Sequence, residues 1–284
     1  MSNSSPVLGI DLTGADTPPQ ELFPAIEQLI QEHPQLQARI FWPKGLSLPH
    51  GLPFHHVHIF PVEDAIHMEE SPVAALKAHP ESAIPVGIHS LQAGTLDAFV
   101  TCGHTGALVT AAAMSRDAHP RCMALAARLP TLHAHQHYLL ADCGALLDYR
   151  PDQLLQLAQQ AIPFAQHVLK RSIIRVGLLN IGAEAHKGSP GLREAYALLK
   201  QDPQIAFLGN VEPAHIFAGG ADLVLSGGFV GNVFLKTIEA LWPGERLIGG
   251  AARLLGVEQS IFKLRGDSTA TTLHRGLLEV LQLL

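Results

Sequence analysis

Two stretches of the chain have the residue types for binding an anion: Cys102-Gly103-His104-Thr105-Gly106 and Ser226-Gly227-Gly228-Phe229-Val230-Gly231-Asn232. Each follows a short apolar run and precedes helix-forming residues, an order that reads as strand, glycine turn and helix start. The first N–H groups of such a helix lack partners within it and point at the turn, which favours a phosphate there. Thr105 and Ser226 add hydroxyl donors and Asn232 an amide, while Gly103, Gly106, Gly228 and Gly231 let a ligand approach the backbone. An ordinary tight strand-to-helix connection has the same spacing, and G-x-x-G alone favours that plainer role. Two such turns beside one sheet edge would suffice to hold one anion, which points to phosphoryl or acyl-phosphate chemistry. Lys187, in the polar loop 184–190, and Lys236, one helical turn beyond Asn232, are the candidate cations.

Other chemistries leave no trace. No G-x-G-x-x-G follows a predicted strand, and neither a phosphate-binding P-loop nor a G-x-S-x-G serine elbow is present. His133, His135 and His137 alternate and would share one face of a strand, which brings zinc to mind. The lack of accompanying acids or cysteines favours a solvated edge, and the same holds for His55, His56 and His58. The three cysteines have no metal-type spacing and fit reduced thiols. No metal and no cofactor is therefore expected. Asp11 and Asp16 follow the first strand, where an α/β sheet places its ligand, although capping the next helix is an equal claim on them.

The elements that must position these residues alternate. Strands are predicted at 7–11, 38–42, 57–60, 98–100, 121–129, 138–141, 176–181, 205–208 and 222–225. Helices are predicted at 20–32, 107–114, 151–171, 192–200 and 233–241. This is an α/β pattern with a largely parallel sheet. It reads as a single catalytic domain over residues 1–284, with an irregular lobe at about 63–90 and a short C-terminal part at about 242–284. Hydrophobic residues make up 47% and charged residues 15% of the 284, enough for a large core. The net charge of −6, without a Lys or Arg run, argues against nucleic acid. No secretory signal and no apolar stretch of membrane-spanning length is visible, so a cytoplasmic protein is expected.

Taken together, several motifs resemble the phosphate acyltransferase family of bacterial phospholipid synthesis (PlsX). They are Cys102-Gly-His-Thr-Gly-Ala107, Gly177-Leu-Leu-Asn-Ile-Gly182 with Lys187-Gly188, and Phe207-Leu-Gly-Asn-Val-Glu212. Further along come Gly228-Phe-Val-Gly-Asn232 with Leu235-Lys-Thr237, then Gly249-Gly-Ala251. The resemblance implies a three-layer α/β/α fold like that of isopropylmalate dehydrogenase and phosphotransacetylase. It also implies a homodimer, and transfer of an acyl chain from acyl carrier protein to inorganic phosphate. Turn N–H groups with Asn180, Asn232 and Lys187 would stabilise the developing oxyanion. His104 would serve either as a base or in place of the amide donor that the family has there.

The chain departs from the family pattern at several points. The family's Gly-Gly-Asp after the first strand is Gly14-Ala15-Asp16 here, its Asp-Gly-Phe is Gly227-Gly228-Phe229, and its late His-Gly is Arg265-Gly266. Only residues 240–248 stand where the family places a long helical hairpin used in membrane contact, so membrane contact is expected to be weak or absent. A relative that binds acyl carrier protein or acyl phosphate without turnover is the alternative. A decarboxylating dehydrogenase would share the fold but needs an acid cluster and a cofactor loop.

Overall fold

Runs of three to seven largely apolar residues form the strands, and stretches with apolar residues three and four apart form the helices. A computed structural model describes residues 6–49, 55–63, 65–115, 122–242 and 250–284. The chain begins with β1 (Val7–Asp11), α1 (Pro19–Glu32), β2 (Gln37–Pro43), β3 (Val57–Val62), α2 (Pro72–Ala78) and α3 (Ala83–Gln92), then β4 (Ala98–Thr101) and α4 (Thr105–Ala113). It continues with β5 (Ala124–Pro130), β6 (His137–Ala141), α5 (Pro151–Leu169), β7 (Arg175–Leu179), α6 (Pro190–Gln201), β8 (Ala206–Val211), α7 (Pro213–Phe217), β9 (Leu223–Leu225) and α8 (Gly228–Leu241). The last elements are β10 (Ala252–Leu255), β11 (Ser260–Lys263) and α9 (Ala270–Leu283). Where the sequence suggests one domain, these elements gather into two compact units. Unit 1 comprises residues 1–118, 249–253 and 257–284, and unit 2 comprises residues 119–248 and 254–256.

In unit 1 the strand order is β3-β2-β1-β4-β11, with each neighbouring pair parallel. Ala252 and Arg253 of β10 pair antiparallel with Lys263 and Phe262. The chain steps outward from β1 to β2 and β3, then returns to β4 on the other side of β1. Right-handed crossovers therefore put α1 and α3 on opposite faces. Leu22, Ile26 and Leu29 of α1 are fully buried, as are Leu273, Leu277 and Val280 of α9, which packs on α1. Each such side chain contributes roughly 1.5–3 kcal/mol relative to exposure.

The 63–90 region packs against the strands of unit 1. Ile84, Ile88 and Leu91 of α3 are buried, and Gly87 lies so close to Phe99 of β4 that a Cβ there would be 2.2 Å from the ring. Within the tail beyond 242, β11 and α9 likewise belong to unit 1, while residues 243–249, which hold most of the shortened stretch, lie outside the described residues.

In unit 2 the order is β5-β6-β9-β7-β8. β5 and β6 form an antiparallel pair, and the remaining neighbours are parallel. The expectation of α/β architecture with a largely parallel sheet and flanking helices holds, with the two antiparallel pairs as local exceptions. The alternating histidines do not form a face. His133 and His135 fall in the turn before β6, His135 with φ 62°, and His137 alone lies on the strand. Among the described residues no group of three or more His, Cys, Asp or Glu could hold a metal ion, and no helix is long and apolar enough to cross a membrane.

Candidate functional site

Unit 1 has its topological switch point between β1 and β4, beyond whose carboxyl ends open α/β sheets bind ligands. There Asp11, Thr101 and Lys263 stand side by side in register. The buried Asp11 carboxylate accepts from the Thr13 N–H (2.8 Å), the Thr13 hydroxyl (2.7 Å) and the Thr101 hydroxyl (2.7 Å). Thr101 Oγ1 in turn accepts from the Gly103 N–H at 2.8 Å. Burial raises the Asp11 carboxyl above its ordinary value, against the hydrogen bonds from Thr101 and Thr13 and the charge of Lys263. Lys263 Nζ donates to the Cys102 carbonyl at 3.1 Å and to that of Leu264. Asp11 thus ties the end of β1 to the turn after β4. It does not cap α1, whose N-cap is Pro18. Asp16 is exposed, and its backbone N–H donates to the Gly266 carbonyl at 2.8 Å.

His104 is the N-cap of α4. Its Nδ1 accepts from the Ala107 N–H at 3.2 Å, and its Nε2 lies 3.2 Å from the Glu70 carbonyl. Those two bonds assign the tautomer protonated on Nε2. They also leave neither ring nitrogen to a substrate in this arrangement. A Cβ on Gly106 would be 2.8 Å from Pro72 and 3.0 Å from the His104 ring, so this glycine admits the chain's own side chains. Thr105 occupies the first helical position, half-exposed, and the N–H groups of Thr105 and Gly106 point out of the helix end. The buried Cys102 thiol is pushed up to about 12 by burial, against the pull of Lys263, so it is a structural thiol.

In unit 2 the second glycine stretch is not a turn. Helix α8 already begins at Gly228, and Gly227 is its N-cap without a side-chain bond. Gly228, Phe229, Val230, Gly231 and Asn232 form its first turn and pack against the segment after β6. A Cβ on Gly228 would stand 2.0 Å from the Leu146 carbonyl oxygen, and one on Gly231 would stand 1.8 Å from that of Asp142. These glycines serve close packing of backbone on backbone, a correction to their reading as room for an anion. Asn232 Nδ2 donates to the Cys143 carbonyl at 3.0 Å. Ser226 is buried, with its hydroxyl on the Gly227 carbonyl. Lys236 is exposed.

At the centre of this packing is Asp142, fully buried. Its Oδ1 accepts from the N–H groups of Leu125 (2.7 Å), Gly144 (3.0 Å) and Ala145 (3.0 Å), and its Oδ2 from those of Ala145 and Leu146 (both 2.9 Å). One carboxylate therefore folds the whole segment on which α8 rests.

Asn180 and Lys187 lie on the connection from β7 to α6. Asn180 Oδ1 accepts from the Ile181 N–H at 2.8 Å, and its Nδ2 donates to the Lys187 carbonyl at 3.2 Å. Gly188, with φ +87°, closes the loop where any Cβ would be 2.8 Å from Asn180. Asn210, at the end of β8, donates from Nδ2 to the Glu184 carbonyl at 2.8 Å. The structure thus brings together Asn180 with Lys187, and Ser226 and Asn232 with the 142–146 segment. Thr101, Asp142, Asn210 and Lys263 are the polar residues at strand ends to which sequence reasoning assigns no role. The hints in the chain are the acid and glycine of Asp142-Cys143-Gly144 at a strand end and the place of Asn210 in the Phe207–Glu212 motif.

The chain matches the family described as "Fatty acid synthesis protein" over residues 7–243. A phosphate acyltransferase of Chlamydia pneumoniae is 33% identical, over 78% of this chain and 74% of its own length. One from Thermosynechococcus vestitus is 36% identical over 82% and 69%. Among solved structures, a branched-chain phosphotransacylase from Enterococcus faecalis superposes with a TM-score of 0.69 at 13% identity, covering 98% of this chain and 99% of that one. The last comparison speaks for the fold alone; the sequence matches show that this chain belongs to the phosphate acyltransferase family.

Proposed function

We propose that this chain, an acyltransferase to phosphate in fatty acid and phospholipid synthesis, draws its acyl group from acyl carrier protein. The observation that carries the reading is the continuous family match over residues 7–243, which spans both glycine segments and the Asn180–Lys187 loop. A phosphate oxygen attacks the thioester carbonyl, the tetrahedral oxyanion collapses, and the carrier thiol leaves with the proton that phosphate brought. The products are acyl phosphate and free carrier. Holding phosphate beside the carbonyl replaces a bimolecular encounter, so no covalent enzyme intermediate is required. Lys187 supplies positive charge to the developing oxyanion. In unit 2 Asn180 holds the Lys187 carbonyl and Asn232 the segment after β6, and in unit 1 His104 caps α4.

Two sets of groups are candidates for the phosphate. In unit 1 they are Thr105 and the N–H groups of Thr105 and Gly106, next to Gly103. In unit 2 they are Ser226 and the N-terminal end of α8 at Gly228, with Lys236 on the same helix. Homodimerisation belongs to the same reading and is supported by α8, whose Phe229, Val230, Val233 and Leu241 are half or more exposed. A cytoplasmic location and weak or absent membrane contact complete it.

Formation of acyl phosphate from acyl carrier protein and phosphate, trapped as the hydroxamate, tests the reading. Binding of the carrier without turnover would instead mark a non-catalytic relative. Phosphate should also raise the melting temperature above that in chloride of equal ionic strength. Thr105→Val and Ser226→Ala then identify which unit carries the increment, and an increment untouched by both removes these residues from the phosphate site.

A further inference from the structure

The loop from Ile181 to Gly188 has no regular secondary structure, yet it carries Lys187 and is exposed along most of its length. What fixes it is side-chain capture of its carbonyl groups. Asn180, from the end of β7, holds the Lys187 carbonyl, and Arg193 of α6 holds that of Gly188 at 3.0 Å. The Glu184 carbonyl accepts two bonds, one from the Lys187 N–H at 3.0 Å and one from Asn210 Nδ2 at 2.8 Å. The lysine stem then passes over Gly182, where a Cβ would be 3.2 Å from Lys187 Cγ.

Asn210 itself is about nine-tenths buried, and its Oδ1 has no hydrogen-bond partner among the described residues. A buried, unpaired carbonyl oxygen is unfavourable, and a smaller or apolar residue at that position would avoid it. An asparagine there makes physical sense if the other half of its amide is indispensable. Two strand-end amides, on neighbouring parallel strands β7 and β8, thus clamp the two ends of the Glu184–Lys187 turn.

We propose that Asn210 is a positioning residue of the transfer reaction, acting through the Glu184 carbonyl to set the backbone that carries Lys187. This rests on the reading of Lys187 as an oxyanion-stabilising cation. A misplacement of about 1 Å in a catalytic group lowers rates by about 100-fold, so the clamp has a measurable consequence. Asn180 shares the task at the other end of the turn.

The test uses the full chain with acyl carrier protein thioester and phosphate. Asn210→Ala and the nearly isosteric Asn210→Leu, which has no donor for the Glu184 carbonyl, should both lower kcat by about 10- to 100-fold. In the Lys187→Ala background the Asn210 substitutions should add less than about twofold, because the group they position is gone. Independently of turnover, amide hydrogen exchange in the peptide containing residues 182–188 should accelerate in both variants while β7 keeps its protection. Losses that multiply in the double variants, or exchange in the loop that stays as in the parent chain, overturn the inference. If Asn210→Ala does not fold, Asn210→Leu supplies the same comparison. Full activity of Lys187→Ala with accelerated loop exchange in the Asn210 variants would instead confirm the clamp and refute the role given to Lys187, and with it the catalytic part of the proposal.

Discussion

A Cβ placed on Gly103 in unit 1 would have its nearest neighbour at 3.1 Å, the Thr101 hydroxyl; one placed on Gly231 in unit 2 would stand 1.8 Å from the backbone oxygen of Asp142. The two stretches are alike as sequence, each an apolar strand, glycines, donor side chains and a helix. In unit 1 the turn is held by side chains, through Thr101 on Asp11 and His104 on Ala107, and a Cβ on the glycine would meet the Thr101 hydroxyl first. In unit 2 a buried carboxylate folds the opposing segment, and the glycines let helix backbone lie on it. At these two positions the same residue type therefore meets the end of a side chain in one unit and a backbone oxygen in the other. What decides is whether another backbone arrives at van der Waals distance.

The largest effect should come from breaking the contact directly. Gly231→Ala should destabilise the protein by about 3 kcal/mol or more, because a backbone oxygen cannot move aside as a side-chain end can, and helix propensity returns only about 1 kcal/mol. Gly103→Ala should cost less than about 1 kcal/mol. Urea denaturation of the two variants compares them, and equal midpoints would erase the distinction between the units.

Next in size is a difference in pH response. In unit 1, burial raises Asp11 above 3.8. The stabilisation associated with that shift is complete below 3.8 and is lost as pH rises through the folded-state value. Asp222 in unit 2 feels burial too, but bonds from Arg175, whose guanidinium is bidentate at 2.9 and 3.0 Å, and the charges of Arg175 and Arg171 leave it below 3.8. Its contribution is present above 3.8 and is lost as pH falls through the lower folded-state value. Asp222→Asn should therefore cost about 2 kcal/mol at neutral pH, between exposed and buried ion pairs, and progressively less in acid. For Asp11→Asn the penalty should grow as pH falls. Melting temperatures of the parent and both variants from neutral to acid pH measure the two slopes, and slopes of one sign would contradict the comparison.

The smallest effect concerns the His104 cap. His104→Ala should remove about 1 kcal/mol of stability, whereas His104→Asn, a good N-cap, should remove only a few tenths. Acyl phosphate formation should follow the same order. If Asn loses as much activity as Ala while retaining the stability, His104 does more than shape the turn.

Most strands and the long helices were legible because their signals are local. The continuous apolar run of β7 and the periodic α1 and α5 need no distant information to be recognised. Sequence pattern alone places the start of α8 five residues late because Gly228 and Gly231 are poor helix formers; contact with the 142–146 segment overrides their propensity. The 63–90 region looked loose because its prolines interrupt the pattern, yet Pro72 is the first residue of α2, where its missing N–H is harmless.

For the site, residue types and order along the chain were enough to assign the phosphate acyltransferase family and to single out Asn180, Lys187, His104 and Asn232. Nothing in that order shows what each side chain holds. Asp142 gathers four backbone N–H groups, Asn210 reaches a carbonyl 26 residues away, and Asp11 meets a hydroxyl 90 residues away. Local periodicity and residue type are enough to fix the alternation of strand and helix and the chemistry available at the strand ends. Which glycines meet backbone and which polar groups are already occupied depends on contacts between distant segments, because β-strand register is what brings that backbone close.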